Sequence, residues 1–288
     1  MDASELIKKV RRIEIKTRGL TRQIFAGEYH SAFKGKGMAF SEVREYQYGD
    51  DIRNIDWNVT ARFSHPFIKI FEEERELTVM LLVDVSGSGD FASRSKLKRS
   101  LITEISAVLA FSAISNNDKI GAVLFSDIIE KFIPPKKGRQ HTLRIIREVL
   151  DYSPKSKGTD ISVALRYFTN VIKKRSTAFL ISDMMDEGFD DPLKLASRKH
   201  DLVALKIYDT RESELPDVGL ISMKDAESGK MVWVDSGNAA VRERYKKFWM
   251  ERNKKVDESL KRQGVDFVSI GTHEDFVKPL MQLFKKRA

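Results

Sequence analysis

Asp84, Ser86 and Ser88 alternate along the segment Asp84-Val85-Ser86-Gly87-Ser88, directly after the apolar run Leu77-Thr78-Val79-Met80-Leu81-Leu82-Val83. One carboxylate and two hydroxyls on a short loop present three oxygen atoms, a set that suits a hard cation such as Mg2+. Gly87 and Gly89 let the backbone turn tightly around them. A polar turn that happens to contain serines explains the same five residues equally well. The assignment therefore depends on what else reaches the same place.

Two further segments do. Gly158-Thr159-Asp160 opens a helical pattern, and the strand pattern Ser176–Ser182 ends at Asp183. In a doubly wound sheet, the loops that follow adjacent parallel strands converge on one edge. Asp84, Ser86, Ser88, Thr159 and Asp183 would then meet as two carboxylates and three hydroxyls. An oxygen-only set of this kind fits Mg2+ or Mn2+, and the absence of histidine and cysteine from it disfavours zinc. It does not easily fill six octahedral positions, so water or a carboxylate from another molecule would complete it. Taken singly, Thr159 reads as well as a helix cap beside Asp160, Asp183 as a turn residue, and Asp186 and Glu187 as solvated loop charges.

The elements that must position these residues follow from periodicity. The run 77–84 is apolar throughout and bounded by charge, which predicts a strand buried on both faces. Leu97, Leu101, Ile105, Val108 and Leu109 mark one face of a helix over about 94–116. Strands are expected at 119–125 and at 128–133, the latter antiparallel and closing on Pro134-Pro135. Helices follow at about 139–151 and 161–173, then a short helix near Pro192 and a strand over 201–208. Two short strand candidates lie at 220–223 and 231–235. A long basic helix covers about 239–262 and stops at Gly264. A last strand (265–270) and a helix at about 274–286 finish the chain. Strand and helix alternate from 77 onward, which predicts an α/β fold with a doubly wound, mostly parallel sheet. The expected organisation is an N-terminal helix plus irregular β extension over 1–76 and one α/β domain over 77–288. Within the extension, Leu6, Val10 and Ile13 suggest an amphipathic helix, and residues 26–66 interleave glycine, aromatics and charge without a clear period. Asp50, Asp51, Arg53, Asp56 and Arg62 are candidates for an ion-pair network fixing the extension to the sheet, and Trp57 for a packing anchor.

The chain has 288 residues, 32% of them charged, with a net charge of +9 and no cysteine. Disulfides, thiolate metal sites and cysteine nucleophiles are thereby excluded. A lysine surplus on solvated helix faces accounts for the charge, while an anionic partner is the sharper alternative. The N-terminus has no apolar signal region, and no segment approaches the roughly 18 apolar residues of a spanning helix. A cytoplasmic protein is expected, with peripheral membrane association compatible with it.

Asp84-x-Ser86-x-Ser88, Gly158-Thr159-Asp160 and Ile181-Ser182-Asp183 together resemble the metal-ion-dependent adhesion site (MIDAS) of von Willebrand factor A domains. Phe33-Lys34-Gly35-Lys36-Gly37, Phe40 to Tyr46, Gly49 to Trp57 and Thr60-Ala61-Arg62 resemble the bacterial domain-of-unknown-function family 58, whose members carry such a stretch ahead of an A-domain-like core. That resemblance implies a Rossmann-like A-domain fold and association with MoxR-type AAA+ ATPases. It also implies roles at the site. Ser86, Ser88 and Thr159 would contact the ion through hydroxyls, Asp84 and Asp183 directly or through water, and a partner's Glu or Asp would supply the missing ligand.

The chemistry of an enzyme is not indicated. There is no Gly-x-x-x-x-Gly-Lys-Ser/Thr phosphate loop. The position two residues after Asp84, where a phosphotransfer enzyme would place a second carboxylate, is Ser86. Val-Ser-Gly-Ser-Gly departs from a nucleophile elbow because Asp84 stands where the first glycine belongs. A metal-dependent hydrolase, and an anionic-surface or nucleic-acid binder working through the basic helix 239–262, remain as alternative readings beside the metal-dependent protein-interaction module.

Overall fold

The computed structural model describes residues 39–72, 77–87, 98–224 and 231–287. Two compact units divide it, one spanning Lys34–Leu77 and the other containing Thr78–Ala288. The helix expected at the N-terminus lies outside the described residues.

In the small unit, β1 (Ala39–Glu45) pairs antiparallel with β2 (Phe67–Glu72). The connection holds a 3-10 turn (Ile52–Asn54) and a helix, α1 (Trp57–Phe63), where sequence periodicity had suggested only irregular loops with short strands. Aspartates build this connection. Asp51 accepts the Arg53 N–H at the turn, and Asp56 accepts the Asn58 and Val59 N–H groups as the N-cap of α1. Arg44 grips Asp50 with two hydrogen bonds of 2.9 and 2.8 Å, holding that carboxyl below the usual carboxylate range together with the Gln47 N–H. Asp51 pairs with Arg53 and Asp56 with Lys69. Of the expected charges, Asp50, Asp51, Arg53 and Asp56 form ion pairs, and these fasten the turn and helix of the small unit itself. Trp57 is 70% exposed, which corrects its assignment as a packing anchor.

The large unit is a six-stranded sheet in the order β10-β7-β6-β3-β4-β5. Its strands are β3 (Thr78–Asp84), β4 (Lys119–Phe125), β5 (Ile129–Lys136), β6 (Thr177–Ser182), β7 (Asp201–Tyr208) and β10 (Asp266–Gly271). All neighbours are parallel except β4 and β5. Counted from β3, the order is 3-2-1-4-5-6, the doubly wound arrangement expected, with its switch point between β3 and β6. The helices are α2 (Lys98–Ser115), α3 (Arg139–Asp151), α4 (Ile161–Val171), α5 (Asp190–Lys199), α6 (Thr210–Ser213), α7 (Ala239–Arg262) and α8 (Val277–Arg287). Alternate strand residues face opposite layers. Met80, Leu82, Val123, Phe125, Ala178 and Leu180 pack with Leu165 and Phe168 of α4, Leu193 of α5 and Leu260 of α7. The opposite face meets α2 and α8, where Phe179 and Phe284 contact edge to face. Burial on both sides is why β3 reads as a continuous apolar run rather than an alternating one.

β8 (Leu220–Lys224) and β9 (Met231–Asp235) form a separate antiparallel pair. β5 does not close on its prolines but runs through Pro134 and Pro135. β5 is an edge strand and its register slips beside these prolines, two settings in which a sheet tolerates a missing N–H. The register slips opposite Gly121, where an added Cβ would sit 2.8 Å from the Ile133 carbonyl oxygen and 2.9 Å from the Pro135 nitrogen. Only glycine lets the two strands approach this closely. His200 is a core residue. It is 1% exposed and packed on Phe168, and burial plus the nearby Lys199 and Arg175 push its pKa down to about 4.

Candidate metal-binding edge

β3 ends in Asp84 and β6 in Ser182-Asp183, on neighbouring strands at the switch point. Asp84 is 6% exposed. Its Oδ1 accepts the Ser86 N–H at 2.9 Å, and its Oδ2 accepts the Ser182 hydroxyl at 2.7 Å. Burial, and next the negative charge of Asp183, push its pKa up to about 6 against these hydrogen bonds. Asp183 is 8% exposed, and one of its oxygens accepts the Met185 N–H at 3.1 Å. Met184 between them has a left-handed backbone (φ 58°) and a fully buried side chain. The core thus holds a locally strained turn directly behind a buried carboxylate.

The Thr159 loop is fixed against the same edge by three strands' worth of contacts. The Gly87 N–H donates to the Lys157 carbonyl at 3.0 Å, so the loops carrying Ser86 and Thr159 run side by side. The Asp160 N–H donates to the Ser126 carbonyl at the end of β4. Glu130 holds the base of the loop, its Oε1 accepting the Lys155 and Ser156 N–H groups and the Ser126 hydroxyl at 2.9–3.1 Å. Tyr152 donates to its other oxygen at 3.2 Å. Burial alone would raise the pKa of Glu130. The bonds from Ser156, Ser126, Lys155 and Tyr152 outweigh it and hold the carboxyl below its ordinary value. Glu130 is the extra residue at a register slip in β5, where Leu124 faces Lys131 but Phe125 faces Ile129. Such a bulge re-aims one side chain.

The cap of α4 is Asp160, whose side chain accepts the Val163 N–H at 3.0 Å. The capping role open to Thr159 is therefore filled by its neighbour. Asp186, expected as a solvated charge, instead accepts the Ile161 N–H at 2.8 Å and is raised in pKa mainly by burial. It satisfies the orphan donor at the start of α4 and so ties the Asp183 loop to the Thr159 loop. Arg252 of α7 reaches the same loop through the Met185 carbonyl. Ser88 lies outside the described residues. Asp84, Ser86 and Asp183 come together at the buried end of β3 and β6, and Thr159 stands on the adjoining loop.

Sequence reasoning overlooked Lys98. Its side chain is 1% exposed, and its ammonium lies 3.0 Å from Asp183 Oδ2 and 2.5 Å from Glu212 Oε1 of α6. Burial alone would lower its pKa, but the charges of Asp183 and Glu212 prevail and raise it. The signal was present in the sequence, because Lys98 precedes Leu101, Ile102 and Ile105 by three, four and seven residues. A lysine on the apolar stripe of a helix has to find a carboxylate inside.

The donor chemistry fits a hard divalent ion. Two buried carboxylates repel each other at a point lined by serine hydroxyls, and a cation would relieve that repulsion. Among the described residues no three His, Cys, Asp or Glu side chains converge as a centre built of those groups alone would require. Hydroxyl and water oxygens would therefore have to supply the rest.

A family model described as "Protein of unknown function DUF58" matches residues 42–255. The uncharacterized protein Rv1480 of Mycobacterium tuberculosis is 28% identical over 290 residues, covering 100% of this chain and 91% of its own. The uncharacterized protein YeaD of Bacillus subtilis is 32% identical over 110 residues, 38% of this chain and 25% of its own. Among solved structures, an aerotolerance-related membrane protein of Bacteroides fragilis aligns with a TM-score of 0.49 at 16% identity. The alignment covers 73% of this chain and 99% of that one. BatB of Bacteroides thetaiotaomicron aligns at 0.47 with 15% identity, over 73% and 98%. None of the described helices is long and apolar enough to cross a membrane.

Proposed function

The chain belongs to the DUF58 family, and from that membership and the edge just described we propose that it is a metal-dependent protein-interaction module with a von Willebrand factor A-like core, rather than an enzyme. The observation that carries this reading is the buried Asp84–Asp183 pair at the switch point, with the Ser86 and Ser182 hydroxyls on Asp84. Asp84, Ser86, Ser88 and Thr159, with Asp183, would hold Mg2+ or Mn2+. Bound there by mostly neutral oxygens, the ion would supply a residual positive charge that attracts an external carboxylate. The chain's own part is to bury the acids, orient Ser86 through the Asp84 carboxylate, and fix Thr159 through Glu130, Ser126 and Gly87. A partner's Glu or Asp would be the incoming ligand, and a MoxR-type AAA+ ATPase or its client is the partner the family resemblance suggests.

The alternative reading of α7 as a nucleic-acid surface is weakened by its own ion pairs. Arg242, Lys246, Lys247, Arg252, Lys254 and Arg262 face Asp217, Glu214, Glu243, Glu187, Glu258 and Asp190. These pairs offset part of the helix's positive charge, leaving less to displace counterions from phosphate.

The test is calorimetric titration of Mg2+ and Mn2+ into the wild type, Asp84→Ala and Ser86→Ala. The wild type should bind and both variants should lose at least tenfold in affinity. Equal binding by all three would sink the site. Capture of a MoxR-type ATPase should disappear in EDTA, and capture that survives would remove the metal from the interface.

A further inference from the structure

We propose that Lys98 is a specificity-determining residue of this edge. By lending one fixed positive charge to the acidic cluster, it makes the metal-loaded site receptive to an external carboxylate, at the expense of metal affinity. The inference rests on the metal-site reading above.

The charge count is simple. Asp183 feels the negative charge of Asp84 on one side and of Glu212 on the other, and the Lys98 ammonium is seated between Asp183 and Glu212. Arg99 borders a recess beside Asp84, and it stays constant in every comparison below. With Lys98 the set carries two net negative charges, which a divalent cation neutralises. Counted over these four groups, an arriving carboxylate then meets no net negative charge. Without Lys98 the loaded set would keep one net negative charge, and the same carboxylate would be repelled. In a buried setting of low dielectric, one charge a few ångströms away changes an affinity by an order of magnitude or more.

The placement supports a role beyond holding the fold. An ion pair this deep is a weak source of stability, because two desolvated groups offset most of their attraction. Lys98 also takes one oxygen of Asp183, while the Met185 N–H takes the other. Asp183 is therefore held as a charge behind the site, with its lone pairs partly committed, and is disposed to act on an ion through water. Glu212 comes from α6, where its other oxygen accepts the Asp209 N–H in a capping box. The Lys98 link thus makes the start of α6 part of the electrostatics of the metal edge.

The two ligand classes must respond in opposite directions. In Lys98→Met, Mg2+ affinity measured by calorimetry should rise about tenfold. Acetate affinity for the Mn2+-loaded protein, read by water-proton relaxation, should fall by about fivefold or more. Glu212→Gln removes one negative charge while its amide oxygen can still accept from Lys98, so it should weaken Mg2+ and strengthen acetate. This second variant keeps the test open if Lys98→Met does not fold, and general loosening of the site would weaken both ligands together. Wild-type protein that binds no Mg2+ would overturn the metal-site reading itself. Wild-type binding with both ligands shifting in the same direction in the variants, or staying within about twofold of wild type, would overturn the role of Lys98 and leave that reading standing.

Discussion

Replacing Asp84 by Asn should make the metal-free fold more stable at neutral pH while abolishing its response to Mg2+. An unperturbed aspartate titrates near 3.8 and Asp84 near 6, first because it is buried and then because Asp183 is charged. The folded value lies above the unfolded one. The stability associated with this group is therefore fully present below about pH 4 and is lost as the pH rises through about 6. At about 1.4 kcal/mol per pH unit, ionised Asp84 costs the apo fold on the order of 2–3 kcal/mol above pH 7. Asparagine is nearly isosteric and can keep the local bonds. Its oxygen can accept the Ser86 N–H, and its NH2 can donate to the Ser182 hydroxyl, which already accepts the Met184 N–H. In EDTA at pH 7.5 the variant should melt roughly 5–10 °C above wild type for a domain of this size, and the gap should close toward pH 4. Adding Mg2+ should raise the wild-type melting temperature and leave the variant where it was. A lower melting temperature for Asp84→Asn at pH 7.5, or an undiminished Mg2+ response, would refute the view that this buried charge is what the ion neutralises.

Thr159→Ala and Asp160→Ala should separate binding from capping. The first should weaken Mg2+ while leaving the α4 cap in place, the second should cost about 1 kcal/mol by uncapping α4, and calorimetry beside chemical denaturation reads both. Glu130→Ala leaves the Lys155 and Ser156 N–H groups without their acceptor, so about 1–2 kcal/mol of stability should go. Faster amide exchange over residues 152–160 and a weaker Mg2+ titration should accompany that loss. Gly121→Ala forces a methyl against the Ile133 carbonyl and Met80 Sδ, each 2.8 Å from the added atom. A denaturation midpoint corresponding to a loss of about 1–3 kcal/mol is expected, and an unchanged midpoint would mean that β4 and β5 can separate freely.

The large unit was legible in the sequence where hydrophobic pattern and topology act together. The run before Asp84 could only be a doubly buried strand, and β/α alternation then placed Thr159 and Asp183 at the same edge. Thr159 itself was ambiguous until Asp160 was found to cap α4, because adjacent Thr and Asp compete for that role and sequence spacing does not decide between them. Asp186 was misjudged and Lys98 overlooked for a common reason. Their partners, the Ile161 N–H and the Asp183 and Glu212 carboxylates, lie far away in sequence. A charge in a polar loop or at the start of a helix looks solvated until the chain folds back on it. Trp57 failed the other way, since aromatic size suggests burial, whereas exposure depends on which face of a short helix the ring occupies. Pro134 and Pro135 seemed to end β5 because proline interrupts a central strand, a rule that does not apply at an edge.

That edge bears on how the protein behaves when crowded with copies of itself. An open sheet offers unpaired N–H and C=O groups to any passing strand, and a long flat edge is a template for runaway polymerisation. β5 carries two residues without an N–H, two register slips and the charges of Glu130, Lys131 and Lys136. A second copy laid alongside would find gaps in its hydrogen-bond ladder and a kinked line to follow. The irregularity that aims Glu130 at the Thr159 loop therefore also keeps the sheet six strands wide.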